Sequence, residues 1–347
     1  MKTNQRIELL SAFGCVLDDI CEKLSYSESN KTICEVLYAK FEDGIVKAKV
    51  HNGWFTIDNI FQALSGISIW LKKESLNDWL INYNIESLQS KTVGLIMAGN
   101  IPLVGFHDFL AVFLSGHHSK IKLSSDDNIL WPIIIEILIE LNPEFEQTIT
   151  VVEKLERFDA VIATGSNNSA TYFESYFGKY PHIIRKNRTS IAVLTGEESS
   201  DELRELGKDI FSYFGLGCRN VTQLLVPKDY DLTKFFESIY IYNDIINHNK
   251  YANNYDYNKA IYLLNQEDLL DNNFLLVRRS KDLNSPIGVL FRHEYNSNED
   301  IKTYISDHKN DIQAIIGKNF IPFGQSQSPG LMDYADGVDT MSFLTKL

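Results

Sequence analysis

The sequence predicts an α/β protein in two lobes, and three observations carry that expectation. From about residue 91 onward, short apolar runs recur that suit strands buried on both faces of a parallel sheet. Segments with the three-to-four spacing of a helix separate them. Strand, turn, helix and strand follow one another between Val93 and Leu123, the order and length of a βαβ unit.

The elements follow in chain order. Residues 7–24 place Leu10, Phe13, Leu17, Ile20 and Leu24 at spacings of three and four, an amphipathic helix. A second helix is expected over 31–41 and more through Trp70–Leu88, where His51 and the tryptophans read as structural residues. Val93–Ala98 is a strand, and Gly99-Asn-Ile-Pro102 a turn whose proline suits the first turn of a helix. Leu103–Leu114 is that helix, ended by Gly116, and His118–Leu123 the next strand. Ser124-Ser-Asp-Asp127 opens an apolar helix to about Leu141, with carboxylates where its dipole favours them. Strands are expected at 148–152, 159–163, 182–184 and 190–194, with Ser166 capping a helix through Phe177. Thr195-Gly-Glu-Glu198 has the form of a capping box and opens the helix that leads to Cys218. Beyond Pro227 the pattern gives a helix at 231–247, strands at 274–277 and 287–291, a helix at 298–308 and a strand at 312–316. The Asn- and Tyr-rich stretch 241–258 reads as surface. Ile321–Gly330 reads as a loop suited to contacting a ligand or another domain.

Composition bounds the function. A chain of 347 residues with 44% hydrophobic and 23% charged residues is a folded protein of one large or two ordinary domains. Its net charge of −13 argues against a general nucleic-acid or anionic-membrane binder. Cysteines 15, 21, 34 and 218 have no metal-type spacing, and so few in a chain this long point to a reducing, cytoplasmic setting. The N-terminus lacks the apolar core of a signal peptide, and the most apolar run, Ile133–Ile139, is too short to span a bilayer.

Cys218 is the candidate that chemistry singles out. Gly215 and Gly217 precede it, and residues without Cβ let other groups approach a sulfur closely. A lone cysteine beside apolar residues is also a common buried residue, so its local sequence leaves both readings open. His107, His117 and His118 fit no usual ligand set, and no metal is expected.

Three turns follow apolar strands, where α/β proteins put their ligands: Gly99-Asn100, Thr164-Gly165-Ser166 and Gly196-Glu197. With Lys122 and Cys218 this ordered set resembles the aldehyde dehydrogenase superfamily. It is most similar to the LuxC-like branch, the fatty acyl-CoA reductases that supply aldehyde to bacterial luciferase. The resemblance runs from about residue 90 to about residue 330. It implies an aldehyde-dehydrogenase-like fold: a Rossmann-type cofactor domain, 1–192 with the tail 319–347 returning to it, and an α/β catalytic domain, 193–318, carrying the cysteine.

The resemblance also implies roles. Asn100, in Asn100-Ile-Pro102, gives an amide to the oxyanion hole, and Cys218 is the nucleophile. Lys122, six residues after Gly116, contacts the adenosine ribose. Thr164, Gly165 and Ser166 approach the pyrophosphate. Pro322-Phe-Gly324 and Ser328-Pro-Gly330 lie against the active site. Ser125 stands where NAD-preferring members carry a glutamate, which favours NADPH over NADH because a carboxylate repels a 2′-phosphate. Val193 stands where hydrolytic members carry their base, which suits acyl exchange with coenzyme A, although Glu197 and Glu198 are close enough in sequence to substitute. Ser285-Pro-Ile-Gly288 replaces the later ribose-binding glutamate turn. The implied activity is reduction of an acyl-CoA, of the fatty type, to its aldehyde through an acyl-cysteine, with coenzyme A as product. The alternatives are a CoA-acylating dehydrogenase of small aldehydes and a non-catalytic partner subunit. The chain is shorter than a typical member of the superfamily, which puts the oligomerisation element in doubt and leaves a homo-oligomer or an acyl-transferring partner protein open.

Overall fold

The computed structural model describes residues 1–25, 35–86 and 88–347. Cys34 and the first part of the helix expected over 31–41 lie outside the described residues. Contacts divide the chain into two compact units, Met1–Lys186 with Gly330–Leu347, and Asn187–Pro329.

The first unit begins with four helices: α1 (Thr3–Ser25), α2 (Glu35–His51), α3 (Ile57–Trp70) and α4 (Lys73–Leu80). The apolar stripe read on α1 is its buried face, with Leu10, Phe13, Leu17 and Ile20 all inaccessible to solvent. After them come β1 (Thr92–Ile96), α5 (Phe106–Ser115), β2 (His118–Lys122), α6 (Leu130–Leu141), β3 (Ile149–Val151), β4 (Ala160–Thr164), α7 (Asn167–Phe177) and β5 (His182–Arg185). The strands form one parallel sheet in the order β3-β2-β1-β4-β5. The chain winds outward from β1 to β3, then returns to β4 and winds the other way. Right-handed crossovers therefore place α5 and α6 on one face and α7 on the other. Alternate residues confirm it: Val93, Leu95 and Ile162 join the large helical core, while Val161 and Ala163 pack with Phe173 and Phe177 of α7.

At the outer edge of this sheet Arg185, 4% exposed, closes the unit. Its guanidinium donates to Asp108 of α5 at 2.8 Å and 3.3 Å, to the Ala335 carbonyl at 2.7 Å and to the Thr340 hydroxyl at 2.8 Å. The C-terminal segment, with its short helix α12 (Thr340–Leu344), is thereby fastened to β5 and α5.

The second unit carries β6 (Thr189–Val193), α8 (Ser200–Phe211), β7 (Val221–Pro227), α9 (Thr233–Ile239), α10 (Asn249–Leu264), β8 (Leu269–Asp271), β9 (Leu276–Arg279), β10 (Val289–Tyr295), α11 (Asn298–Asp307) and β11 (Ile312–Ile316). Its sheet runs β11-β6-β7-β10-β9-β8, parallel except for β8 at the edge. β6 belongs here because it pairs with β7 and β11.

Three expectations change. Ser124–Asp127 does not open α6: Ser124 caps a single 3-10 turn, and the helix starts at Leu130, because the Asp127 carboxyl turns inward to the backbone of Leu103. The cap of α8 is Ser199 with Glu202, a reciprocal capping box, and not Thr195 with Glu198. The stretch 241–258 is not mere surface, since α10 buries Tyr251, Tyr255 and Asn258. Its apolar content sits in tyrosine rings, which a pattern of Asn and Tyr conceals.

Burial alone would push the Asp108 carboxyl up, but Arg185 beside it more than offsets this and holds it below its usual value. Arg185→Ala should cost about 3–5 kcal/mol in urea unfolding, because it leaves a buried carboxylate unpaired. Stabilisation from a depressed carboxyl is present above its ordinary pKa and lost as pH falls through the folded one. The gap between wild type and variant should therefore narrow on acidification below about pH 4.

Candidate functional site

In the first unit, the loops that leave parallel strands emerge at the carboxyl edge. β1 and β4 are neighbours there, and the winding reverses between them, which is the topological switch point where such sheets bind ligands. The structure brings six of the expected positions to this edge. Asn100 follows β1 and is exposed; Lys122 ends β2 opposite Ile96; Ser125 follows it and is exposed. Thr164 ends β4, and Gly165 and Ser166 lead into α7, where the Ser166 hydroxyl accepts the Ser169 N–H at 3.2 Å. Gly116 does not accompany Lys122. It caps α5 at the start of β2 with φ 88°, at the opposite edge of the sheet.

The turn after β1 lies tight against the connection after β2. The Met97 N–H donates to the Lys122 carbonyl at 3.1 Å. A Cβ on Gly99 would stand 2.6 Å from the Ser124 hydroxyl, so only glycine lets the two segments meet. A parallel edge with a reversal point, a glycine close approach and an exposed helix start fits a bound dinucleotide.

Cys218 sits in the second unit, exposed, in the turn between α8 and β7. The backbone before it is strained. Tyr213, Phe214 and Gly215 have φ of 51°, 57° and 80°, and each of the first two costs roughly 1–2 kcal/mol in that left-handed region. Packing holds them, since Tyr213 is buried and the Phe214 ring stacks on His248 with centroids 4.2 Å apart.

Asn220 ties the turn together. Fully buried, it accepts the Gly217 N–H at 2.8 Å and donates to the carbonyls of Asp209, Ile210 and Ser212 at 3.1, 3.3 and 2.8 Å. It thus satisfies the open carbonyls at the end of α8 and the backbone next to Cys218 with one side chain. The Ser190 hydroxyl donates to the Cys218 carbonyl at 3.0 Å. Asp209, also fully buried, receives the N–H groups of Gly324 and Ser326 at 2.7 and 2.9 Å. Burial pushes its carboxyl up, against those donors. The Pro322–Ser326 loop is thereby held at the end of α8 that carries the cysteine. Sequence reasoning missed Asn220 and Asp209; a polar residue two places after a cysteine carries no signal of its own.

Strand register corrects the expectation that Val193 occupies the place of a base. β6 and β7 run parallel with Ser190 opposite Val221 and Val193 opposite Leu225. Cys218 precedes β7, whereas Val193 ends β6, so they lie at opposite edges, roughly 13 Å apart along the strand direction. Glu197 and Glu198 come after Val193 on the far edge. Glu198 is buried and accepts from the Thr195 N–H and hydroxyl and the Gly196 N–H, at 2.6, 2.7 and 3.0 Å. Neither glutamate stands in for a base at Cys218, and the Gly196-Glu197 turn does not share an edge with the other two. At the Cys218 edge the chain enters β6 through Asn187-Arg188, which offers no carboxylate.

The three histidines have structural partners. His107 meets the Leu331 carbonyl at 2.9 Å, His117 accepts the Lys91 N–H at 3.1 Å and meets the Leu344 carbonyl, and His118 meets the Gln147 carbonyl.

A family model for acyl-CoA reductase (LuxC) matches residues 23–237, more than half of the chain. The chain belongs to the acyl-CoA reductase (LuxC) family. It is an oxidoreductase of the acyl and aldehyde class. No curated protein matches it. Its fold is similar to that of P. syringae indole-3-acetaldehyde dehydrogenase in complex with NAD+ and IAA, at 13% identity and TM-score 0.63 over 91% of this chain and 72% of that one. It is similar also to Mycobacterium tuberculosis aldehyde dehydrogenase complexed with NAD+, at 13% identity and TM-score 0.61 over 91% and 73%. The Bacillus cereus aldehyde dehydrogenase in its NAD+ complex is alike at 12% identity and TM-score 0.61, over 91% and 72%. The aldehyde-dehydrogenase-like α/β fold expected from the sequence is therefore shown.

Asn220→Ala should destabilise the second unit by about 2–3 kcal/mol, because several buried carbonyls and one N–H lose their partner. Hydrogen exchange at Gly217 should rise with it; unchanged exchange there would contradict the role given to Asn220.

Proposed function

We propose that this LuxC-family protein reduces an acyl-CoA, of the fatty type, to its aldehyde by way of a thioester on Cys218. The observation that carries the reading is an exposed cysteine on a strained turn, anchored from beneath by Asn220, in a chain of this family.

Cys218 as thiolate attacks the thioester carbonyl carbon. A sulfur–carbon bond forms to the protein, the bond to coenzyme A breaks, and coenzyme A leaves as its thiolate. Acyl transfer of this kind changes no oxidation state. Negative charge gathers on the carbonyl oxygen, and the reading gives its stabilisation to the Asn100 amide and the Cys218 backbone N–H. Donors fixed in advance do this without reorganising, which is the use of a rigid turn. NADPH, when bound, supplies the hydride that takes the acyl group to the aldehyde level. Lys122, Ser125 and Thr164–Ser166 would hold it at the carboxyl edge of the first sheet. The Cys218 thiolate is then released for another cycle.

NADPH is favoured over NADH because the exposed residue three places after Lys122 is Ser125, where NAD-preferring members of the superfamily carry a glutamate.

The test is NADPH oxidation across acyl-CoAs from acetyl to palmitoyl. Turnover should be highest on long chains and fall at least about a thousandfold in Cys218→Ala. Ser125→Glu should move the ratio of kcat/KM toward NADH by about tenfold, the scale of one lost charge contact. Full activity in Cys218→Ala contradicts the mechanism. An unchanged cofactor ratio in Ser125→Glu contradicts the NADPH assignment alone.

A further inference from the structure

The connection that leaves β2 does more than reach α6. Asp127, at the end of its 3-10 turn, is 2% exposed. One carboxyl oxygen, Oδ2, accepts the Leu103 N–H at 2.7 Å, and the other, Oδ1, has no hydrogen-bond partner among the described residues. Leu103 lies three places beyond Asn100, has φ 56° and is buried. A side chain with a Cβ disfavours that left-handed conformation, and functional sites are where such strain is kept.

A buried carboxyl with one idle oxygen is a poor choice for stability. Burial pushes it up to about 7, against the Leu103 N–H, which favours the charged form. An apolar residue would fold at lower cost. What the carboxyl supplies is an acceptor aimed at the Leu103 N–H, in the left-handed bend after Asn100-Ile-Pro102. Gly99 against Ser124 and Met97 against Lys122 pin the same turn from its other end.

We propose that Asp127 is a positioning residue: through the Leu103 N–H it holds the turn 99–103 in its bent form and so sets the direction of the Asn100 amide. The kinetic part rests on the reading of Asn100 as an oxyanion donor. Asp127 itself touches no substrate.

The test compares wild type, Asp127→Asn, which keeps a carbonyl acceptor for Leu103, and Asp127→Ala, which keeps none. Asp127→Leu, which fills the space without an acceptor, replaces the alanine variant if that fails to fold. Two measurements are made on the full chain: hydrogen exchange of the peptide covering 99–105, and kcat and KM for NADPH with a long-chain acyl-CoA. Loss of the acceptor should speed exchange at Leu103 at least about tenfold and lower kcat about tenfold or more, with KM for NADPH nearly unchanged. Asp127→Asn should stay within about threefold of wild type in both.

Unchanged exchange without the acceptor overturns the proposal. So does faster exchange throughout the first unit, which would mark a merely structural residue. An asparagine variant as slow in turnover as alanine, with exchange still protected, overturns it as well. A wild type that reduces no acyl-CoA overturns the reading of Asn100 and the kinetic half with it, while the exchange comparison still decides whether Asp127 holds the turn.

Discussion

Parallel strands can be joined only by crossovers, and in a parallel sheet every crossover starts from the same edge. That constraint organises both units. In the first it delivers the turns after β1, β2 and β4 to one edge, and the reversal between β1 and β4 opens the crevice there. In the second it separates the loop after β6 from the turn before β7. Cys218 belongs to that turn and Glu197 and Glu198 to that loop, so the same rule that assembles one site takes two acids away from the other.

Much of the fold was legible in the residues. Strands buried on both faces declare themselves as apolar runs, and Val93–Ala98, 159–163 and 312–316 were found within a residue or two. Ser166 was legible as a cap because its hydroxyl has a local job, which a sequence shows. Where two local devices competed the sequence misled. Thr195 with Glu198 and Ser199 with Glu202 both have the spacing of a capping box. Glu198 instead folds back onto its own turn under β6, and the helix takes the second pair. Placing Val193 beside the cysteine failed for a related reason: nearness in sequence says nothing about which end of a strand a residue occupies.

The candidate site was legible as a set of turns, and its supports were not. Two buried polar side chains do the holding, Asn220 beneath Cys218 and Asp127 beneath the Asn100 turn. Asn220 binds backbone groups on either side of the left-handed segment Tyr213–Gly215, and Asp127 accepts the N–H of left-handed Leu103. Such residues have no motif, because their partners are main-chain atoms that every residue carries. Their signal is physical: a polar group taken out of water is retained only where it meets a demand, and here the demand is a turn that would relax without it.

The central claim is that Cys218 takes the acyl group from coenzyme A before any reduction occurs. Intact-protein mass spectrometry after mixing with a long-chain acyl-CoA, with NADPH left out, tests it most directly. The account predicts one acyl adduct that maps to Cys218 and is absent from Cys218→Ala. An unmodified protein, or an adduct that persists without that thiol, would contradict it.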